Sequence, residues 1–272
     1  MSRADLLVPS AELMSRIRKA ECGYTWSRMG VLEALPGNPV GVKRRRIGEA
    51  WGFLARYLPM PSFNRVVGLT DDQADEIPHL VEWFRQGGAQ GRFELTPDGA
   101  MDRLSVALTA AGYAHTGFHA TLHGPAEAAT AAIPSGVEVE RVTTPEALET
   151  FLDVYGAGWG VPDIAGFKAN VRGWLNEPNW SLYLARLNGK PAGEAILYMS
   201  EGVGYLADSS VTPACRGHGV HRALIDRRRD DALAAGAEVV CVQAAYLSTS
   251  HRNMVRAGLS LLYAQALWTP KA

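Results

Sequence analysis

Hydrophobic and polar positions change their rhythm several times along the chain, and the rhythm predicts the elements. Alternation over 136–142 (GVEVERV) predicts a strand. Ala147, Leu148, Phe151, Leu152 and Tyr155 follow helical spacing behind a Thr cap, which predicts a helix over 144–160. A second helix is expected over 164–177. Residues 180–211 alternate through two turn signals, Asn188-Gly189 and Glu201-Gly202, and predict a three-stranded meander. A helix then runs to Gly236, a C′ glycine. A strand over 238–245, a short helix over 248–258 capped by Ser248 or Ser250, and a last strand over 259–268 complete this half.

The first half ends in a similar rhythm. Strands are expected over 63–69, 91–95 and 113–124, and helices over 70–88 and 98–112. Ala111-Gly112-Tyr113 occupies the place of Ala257-Gly258-Leu259, a faint internal repeat. The Ala-, Pro- and Gly-rich stretch 123–138 lacks periodicity and reads as a linker. It predicts two domains, 1–128 and 129–272, of one shared fold.

Charge and composition remove several function classes. With 27 basic and 28 acidic residues the net charge is −1, so no global field favours nucleic acid or an anionic membrane. Cys22, Cys215 and Cys241 suit neither a disulfide framework nor a zinc site. No stretch has the apolar length of a membrane span or a signal-peptide core, so a soluble, cytoplasmic protein is expected.

The candidate chemistry lies in SSVTPACRGHGVHRAL, where Arg216-Gly217-His218-Gly219 precedes a helix that has no side-chain cap. Four backbone N–H groups are unsatisfied at a helix start. Glycines admit close approach, and an anion such as a phosphate fits. Taken alone, R-G-x-G reads equally well as a tight turn with glycines for steric reasons. The strand that precedes it and the strand, short helix and strand that follow resemble the GNAT superfamily of N-acetyltransferases, over roughly 137–272. The fold class expected is therefore α+β: two GNAT-like mixed α/β domains in tandem, the C-terminal one with the acetyl-CoA loop and the N-terminal one degenerate.

The resemblance implies acetyl-CoA as acyl-donor cosubstrate. It lies where the fourth and fifth strands splay. Ser209, Ser210 and Val211 would hold the acetyl carbonyl and pantetheine, and Arg216, Gly217, His218, Gly219, Val220 and His221 the pyrophosphate. The family loop Q/R-x-x-G-x-G/A starts at Arg216, ending on His221, or at Ala214, ending on Gly219. Asn253 and Tyr263 match a tandem GNAT subgroup with S-x-R-N-x-x-R-x-G-F and a following Tyr. Met254 stands where the common general-acid Tyr is expected, so Tyr263 is the candidate proton donor. The family's general-base position falls near Tyr205, and Asp208 is the carboxylate candidate. Strand alternation would put Asp208 on the face opposite Tyr205 and Ser209.

Tyr155, Trp159 and Asp163 border the acceptor in such a fold and could bind an amine cation, with Tyr205; Trp159 could equally pack in a core. Asp71, Asp72, Asp75 and Glu76 stand at the first half's strand-to-helix junction and would repel a pyrophosphate. Lys43–Arg46 reads as a solvated strand or an anionic patch. His115, His119 and His123 share a strand face, a spacing open to a metal, but no carboxylate or cysteine pattern supports one and no metal is assigned. The expected function is acetyl transfer to a primary amine of a small molecule: an amino acid, an antibiotic or a biosynthetic intermediate. The partner is thus the acceptor amine, with the chain a monomer or homodimer. The alternative is a non-catalytic acyl-CoA-binding sensor or scaffold module. Gly219→Asp is the substitution the sequence singles out to block the loop.

Overall fold

The computed structural model describes residues 8–97, 99–130, 132–160 and 172–271. The chain forms two compact units whose segments interleave. One comprises Met1–Ala20, Leu122–Gln243 and Thr249–Ser260; the other comprises Glu21–Thr121, Ala244–Ser248 and Leu261–Ala272. The single break expected near residue 128 is replaced by exchange of segments at both ends of the chain.

The first unit holds the meander and the glycine loop. Its strands run β10-β9-β8-β7-β6 across the sheet. They are β6 (Val137–Arg141), β7 (Trp180–Leu187), β8 (Lys190–Ser200), β9 (Val203–Val211) and β10 (Val239–Ala245). β6 to β9 pair antiparallel, and β10 is parallel to β9. Both hairpin turns place two residues at positive φ, Asn188-Gly189 (50° and 76°) and Glu201-Gly202 (44° and 77°). That backbone twist matches the strands it joins.

Helix α4 (Pro145–Trp159) starts where Thr144 Oγ1 accepts from the Ala147 N–H at 3.2 Å. It packs on β8 and β9, so closely that a Cβ on Gly158 would lie 2.0 Å from Ser210 Oγ. Helix α5 (Val220–Ala234) covers the opposite face, where a Cβ on Gly204 would lie 2.8 Å from Ala232. α6 (Thr249–Arg256) follows β10, with Ser248 at the N-cap position. Of the helix expected over 164–177, residues 161–171, with Asp163, lie outside the described residues. Arg172–Asn176 form a 3-10 turn.

The second unit has the strand order β1-β2-β3-β4-β11-β5. Its strands are β1 (Val42–Ile47), β2 (Ala50–Ala55), β3 (Arg65–Val67), β4 (Arg92–Leu95), β5 (Tyr113–Pro125) and β11 (Ser260–Pro270). The last strand, expected to complete the second half, pairs instead with β4 (Ala266↔Leu95, Trp268↔Phe93). Ala266 and Trp268 pack on this unit's core. Helices α2 (Ile77–Gln86) and α3 (Asp102–Ala110) flank that core, and α1 (Ala11–Glu33) enters the unit at Glu21. The helix expected from Thr70 opens as a 3-10 turn over Asp71–Glu76, and the α-helix begins only beside Pro78.

The basic run lies on β1, at the end of this strand order. Its arginines lie over tryptophans: Arg46 is 3.7 Å from the Trp51 ring centre and Arg44 4.5 Å from Trp26. Arginine-over-ring contacts and charge protect an edge from pairing with another chain.

Beneath the sheet a buried ion network replaces apolar packing. Arg65 Nη1 donates to Glu21 Oε1 (3.2 Å) and Glu94 Oε2 (2.9 Å), and its Nη2 donates to Thr25 Oγ1 (2.9 Å). Burial raises the Glu94 pKa, but the Arg65 and Arg92 guanidinium groups overcome that and hold the carboxyl at about 2. Removing one partner strands a buried charge. Arg65→Met is therefore expected to destabilise this unit by about 3–5 kcal/mol, read as an earlier urea transition. An unchanged midpoint would show that the network carries little energy.

Candidate functional site

Two interruptions of pairing along β9 build the site. On one edge, β9 and β10 pair only at Val203↔Val239, Gly204↔Val240 and Tyr205↔Cys241. Past these pairs β9 runs on to Val211 with no β10 partner, and backbone groups left without a ladder need one. On the other edge the β8–β9 register jumps from Leu197↔Leu206 to Ala195↔Ser209. One residue of β8, Ile196, faces two of β9, Ala207 and Asp208, which is a β-bulge.

The bulge corrects the expected geometry of Asp208. An extra residue reverses alternation. Asp208 therefore points to the α4 side, where Tyr155 OH donates to its Oδ2 at 3.2 Å. Tyr205, opposite the α5-facing Gly204, lies on that side as well. Ser210 faces α4, and Ser209, paired with Ala195, lies on the α5 side.

Sequence reasoning missed Glu194. It lies fully buried on β8, directly across from Ser210. Trp159, itself about half exposed, donates its indole N–H to Glu194 Oε1 at 3.2 Å. Burial pushes the carboxyl up to about 8, with Asp208 adding to the shift and the Ser210 hydroxyl, the Trp159 indole and Arg228 opposing it. The only sequence signal was an acidic residue inside the apolar run AGEAILY. Glu194, Asp208, Tyr155, Trp159 and Ser210 thus share one corner under α4.

At the end of β9 the chain turns through Pro213–Cys215 into the glycine loop. Gly217 (φ 83°) and Gly219 (φ 80°) are both left-handed, a conformation costly for residues with a Cβ. Gly219 is the N-cap of α5 and supplies no side-chain acceptor, so the first N–H groups stay open. Arg216 and His218 are exposed, and Arg216 Nε donates to the Val211 carbonyl at 3.2 Å, which ties the loop to the strand.

His221 lies half-buried in the first turn of α5. Burial, with Arg228 adding to it, lowers its pKa to about 4, so it is neutral near pH 7. Asn253 Oδ1 accepts from Arg256 Nη1 (3.1 Å), which leaves its Nδ2 to donate to His221 Nδ1 (3.2 Å). The proton then belongs on Nε2. Asn253 is thereby held against the first turn of α5. Tyr263 lies buried on β11 in the second unit.

Residues 147–254 match the family model described as the acetyltransferase (GNAT) family. The chain is thus similar to GNAT acetyltransferases over that stretch. Its fold is similar to that of a GCN5-related N-acetyltransferase from Kribbella flavida (15% identity, 93% of this chain and 96% of that one, TM-score 0.65). It is also similar to one from Sphaerobacter thermophilus (14%, 81% and 76%, 0.62). A tandem GNAT protein from the clavulanic acid biosynthesis pathway matches at 13% identity over 96% of this chain and 97% of that one (TM-score 0.60). No curated protein sequence matches the chain.

GNAT proteins take acetyl-CoA as the acyl donor. The loop fits such a group: two left-handed glycines, an uncapped helix end and an exposed Arg216 stand together within the matched stretch. The other unit does not offer this. At its strand-to-helix junction Thr70 N–H donates to Gln73 Oε1 (3.0 Å), and Asp71 Oδ1 accepts from the Leu104 N–H (3.0 Å). A side chain of the protein itself caps this junction, beside carboxylates. No helix among the described residues is long and apolar enough to cross a membrane. Along β5, His115 is exposed, His119 half-buried and His123 buried, and no cluster among the described residues could hold a metal ion.

The Glu194 carboxyl holds its proton more tightly folded, at about 8, than at its ordinary 4.5. Its protonated form therefore favours the fold below about pH 4.5, and that stability is lost as pH rises towards 8. Glu194→Gln cannot ionise. It should gain stability over the native protein by up to ~1.4 kcal/mol per pH unit between those values. Urea unfolding at pH 5, 6.5 and 8 reads this, and a constant difference would refute the raised pKa.

Proposed function

We propose that this protein transfers the acetyl group of acetyl-CoA to a primary amine of a small molecule, at the corner under α4. The uncapped N-terminus of α5 behind Gly217 and Gly219 is the observation that carries the reading. An anion there gains several backbone N–H donors and the positive end of the helix dipole. The unpaired stretch of β9, with Ser209, Ser210 and Val211, supports an extended ligand that pairs with it as an added strand.

Two carboxyls and two aromatic rings favour a cationic acceptor. Asp208 attracts an ammonium, the Glu194 carboxyl lies beside it, and Tyr155 and Trp159 offer ring faces, with Tyr205 near them. An ammonium has no free electron pair, so a proton must leave before it attacks. We assign that proton to the Asp208–Glu194 pair. A carboxyl with a pKa near 8 suits proton transfer at working pH. The amine then forms the N–C bond, the C–S bond breaks, and CoA leaves as the thiol on taking up the proton released by the amine. A near-neutral chain supports a small molecule over a basic protein tail.

Gly219 is a poor place to test the loop, because a Cβ there would lie 2.5 Å from Pro134 Cγ. Gly217 is open, with nothing within 4 Å of its Cβ position. Asp is among the residues that tolerate the left-handed region. Gly217→Asp should weaken acetyl-CoA binding roughly 100-fold by placing like charge at the loop, measured by calorimetric titration. Undiminished affinity would refute the loop as the binding site. Asp208→Asn should bind acetyl-CoA normally and release thiol with the best amine of a panel roughly 100-fold more slowly. Binding without release on any amine would favour the non-catalytic module.

A further inference from the structure

Arg228 lies in the middle of α5 with no solvent exposure and forms no ion pair among the described residues. An arginine is rarely buried without a carboxylate partner. Here its Nε donates to the Leu224 carbonyl of its own helix (3.0 Å). Its Nη1 donates to the carbonyls of Ile196 (3.1 Å) and Ala207 (3.0 Å). Those two carbonyls belong to the residues that the β8–β9 register skips. A bulge disrupts the ladder, and a buried carbonyl without a donor is costly. One nitrogen with two hydrogens satisfies both.

We propose that Arg228 is a positioning residue for acetyl transfer, tying the two strands across the bulge so that Asp208 and Glu194 stay together on the α4 face. This rests on the acetyl-transfer reading of the site. Its anchor on Leu224 fixes the guanidinium relative to the helix that begins at the glycine loop. One helix thereby sets both the loop at its start and the bulge two turns later. The guanidinium also places a positive charge beside the corner. The groups facing Glu194 are Asp208 and Ser210 on β9, Trp159 on α4 and Arg228 on α5, the one cation among these described side chains, with Tyr155 bonded to Asp208 and Tyr205 near Arg228.

The test compares Arg228→Met and Arg228→Lys in the full chain. Acetyl-CoA affinity is read by calorimetry, and thiol release is followed from pH 6 to 10 with the best acceptor from a panel of amino acids, polyamines and aminoglycosides. Arg228→Met should keep acetyl-CoA affinity within about three-fold. Its kcat should fall roughly 30-fold with KM for acetyl-CoA unchanged. The acid limb of its kcat profile should move to higher pH, because no cation then favours the ionised carboxyls. Arg228→Lys keeps the charge, so its limb should stay in place while kcat remains below the native value.

A native kcat and limb in Arg228→Met would overturn the proposal. So would a kcat loss that only follows lost acetyl-CoA binding. If Arg228→Met does not fold, Arg228→Lys decides: a native kcat overturns the role, and a reduced kcat with native acetyl-CoA affinity supports it. A native protein that binds acetyl-CoA but turns over no amine would overturn the transfer reading, and this role with it. Failure to bind acetyl-CoA at all would overturn the glycine loop as its site.

Discussion

A strand inside a sheet must satisfy its backbone on both edges, and over its second half β9 of this protein has no β10 partner on one edge and a bulge in its pairing with β8 on the other. β10 leaves after three pairs, and β8 slips by one residue. Asp208 and Ser210 lie along that half-strand, and the glycine loop follows it. The open edge leads into the glycine loop. The slipped edge turns Asp208 towards α4. The slip is met by Arg228, which donates to both carbonyls that the register skips.

The two units treat the same junction in opposite ways. Behind β9, glycines replace side chains and the helix start stays open. Behind β3, Gln73 satisfies the Thr70 N–H locally and Asp71 caps the start of α3 through the Leu104 N–H. The first arrangement is stable only in solvent or with an anion, and the second needs nothing added. Buried charge is likewise used differently. Around Arg65 the opposite charges meet in full contact and hold a carboxyl ionised, whereas Glu194 meets an indole and retains its proton. Contact with a cation makes a structural group, and its absence makes one that can exchange a proton.

The chain's own order determined much of this protein. Alternation and turn glycines marked β6 to β9, because period-two burial and left-handed turn residues are local requirements. The Arg216–Gly219 loop was legible for the same reason: a helix start without a capping side chain is a statement about neighbouring residues. The acidic first-half junction was legible as well. Tertiary structure alone decided the rest. The bulge that reverses Asp208 comes from pairing between β8 and β9, which alternation within β9 does not encode. Glu194 looked like one polar residue in an apolar strand until α4 brought Trp159 and Tyr155 over it. Arg228 belonged to a mixed-charge helical run, and only packing showed which arginine enters the sheet. The last strand carried the same apolar pattern whichever β-sheet received it; its place beside β4 was settled by the core into which Ala266 and Trp268 fit.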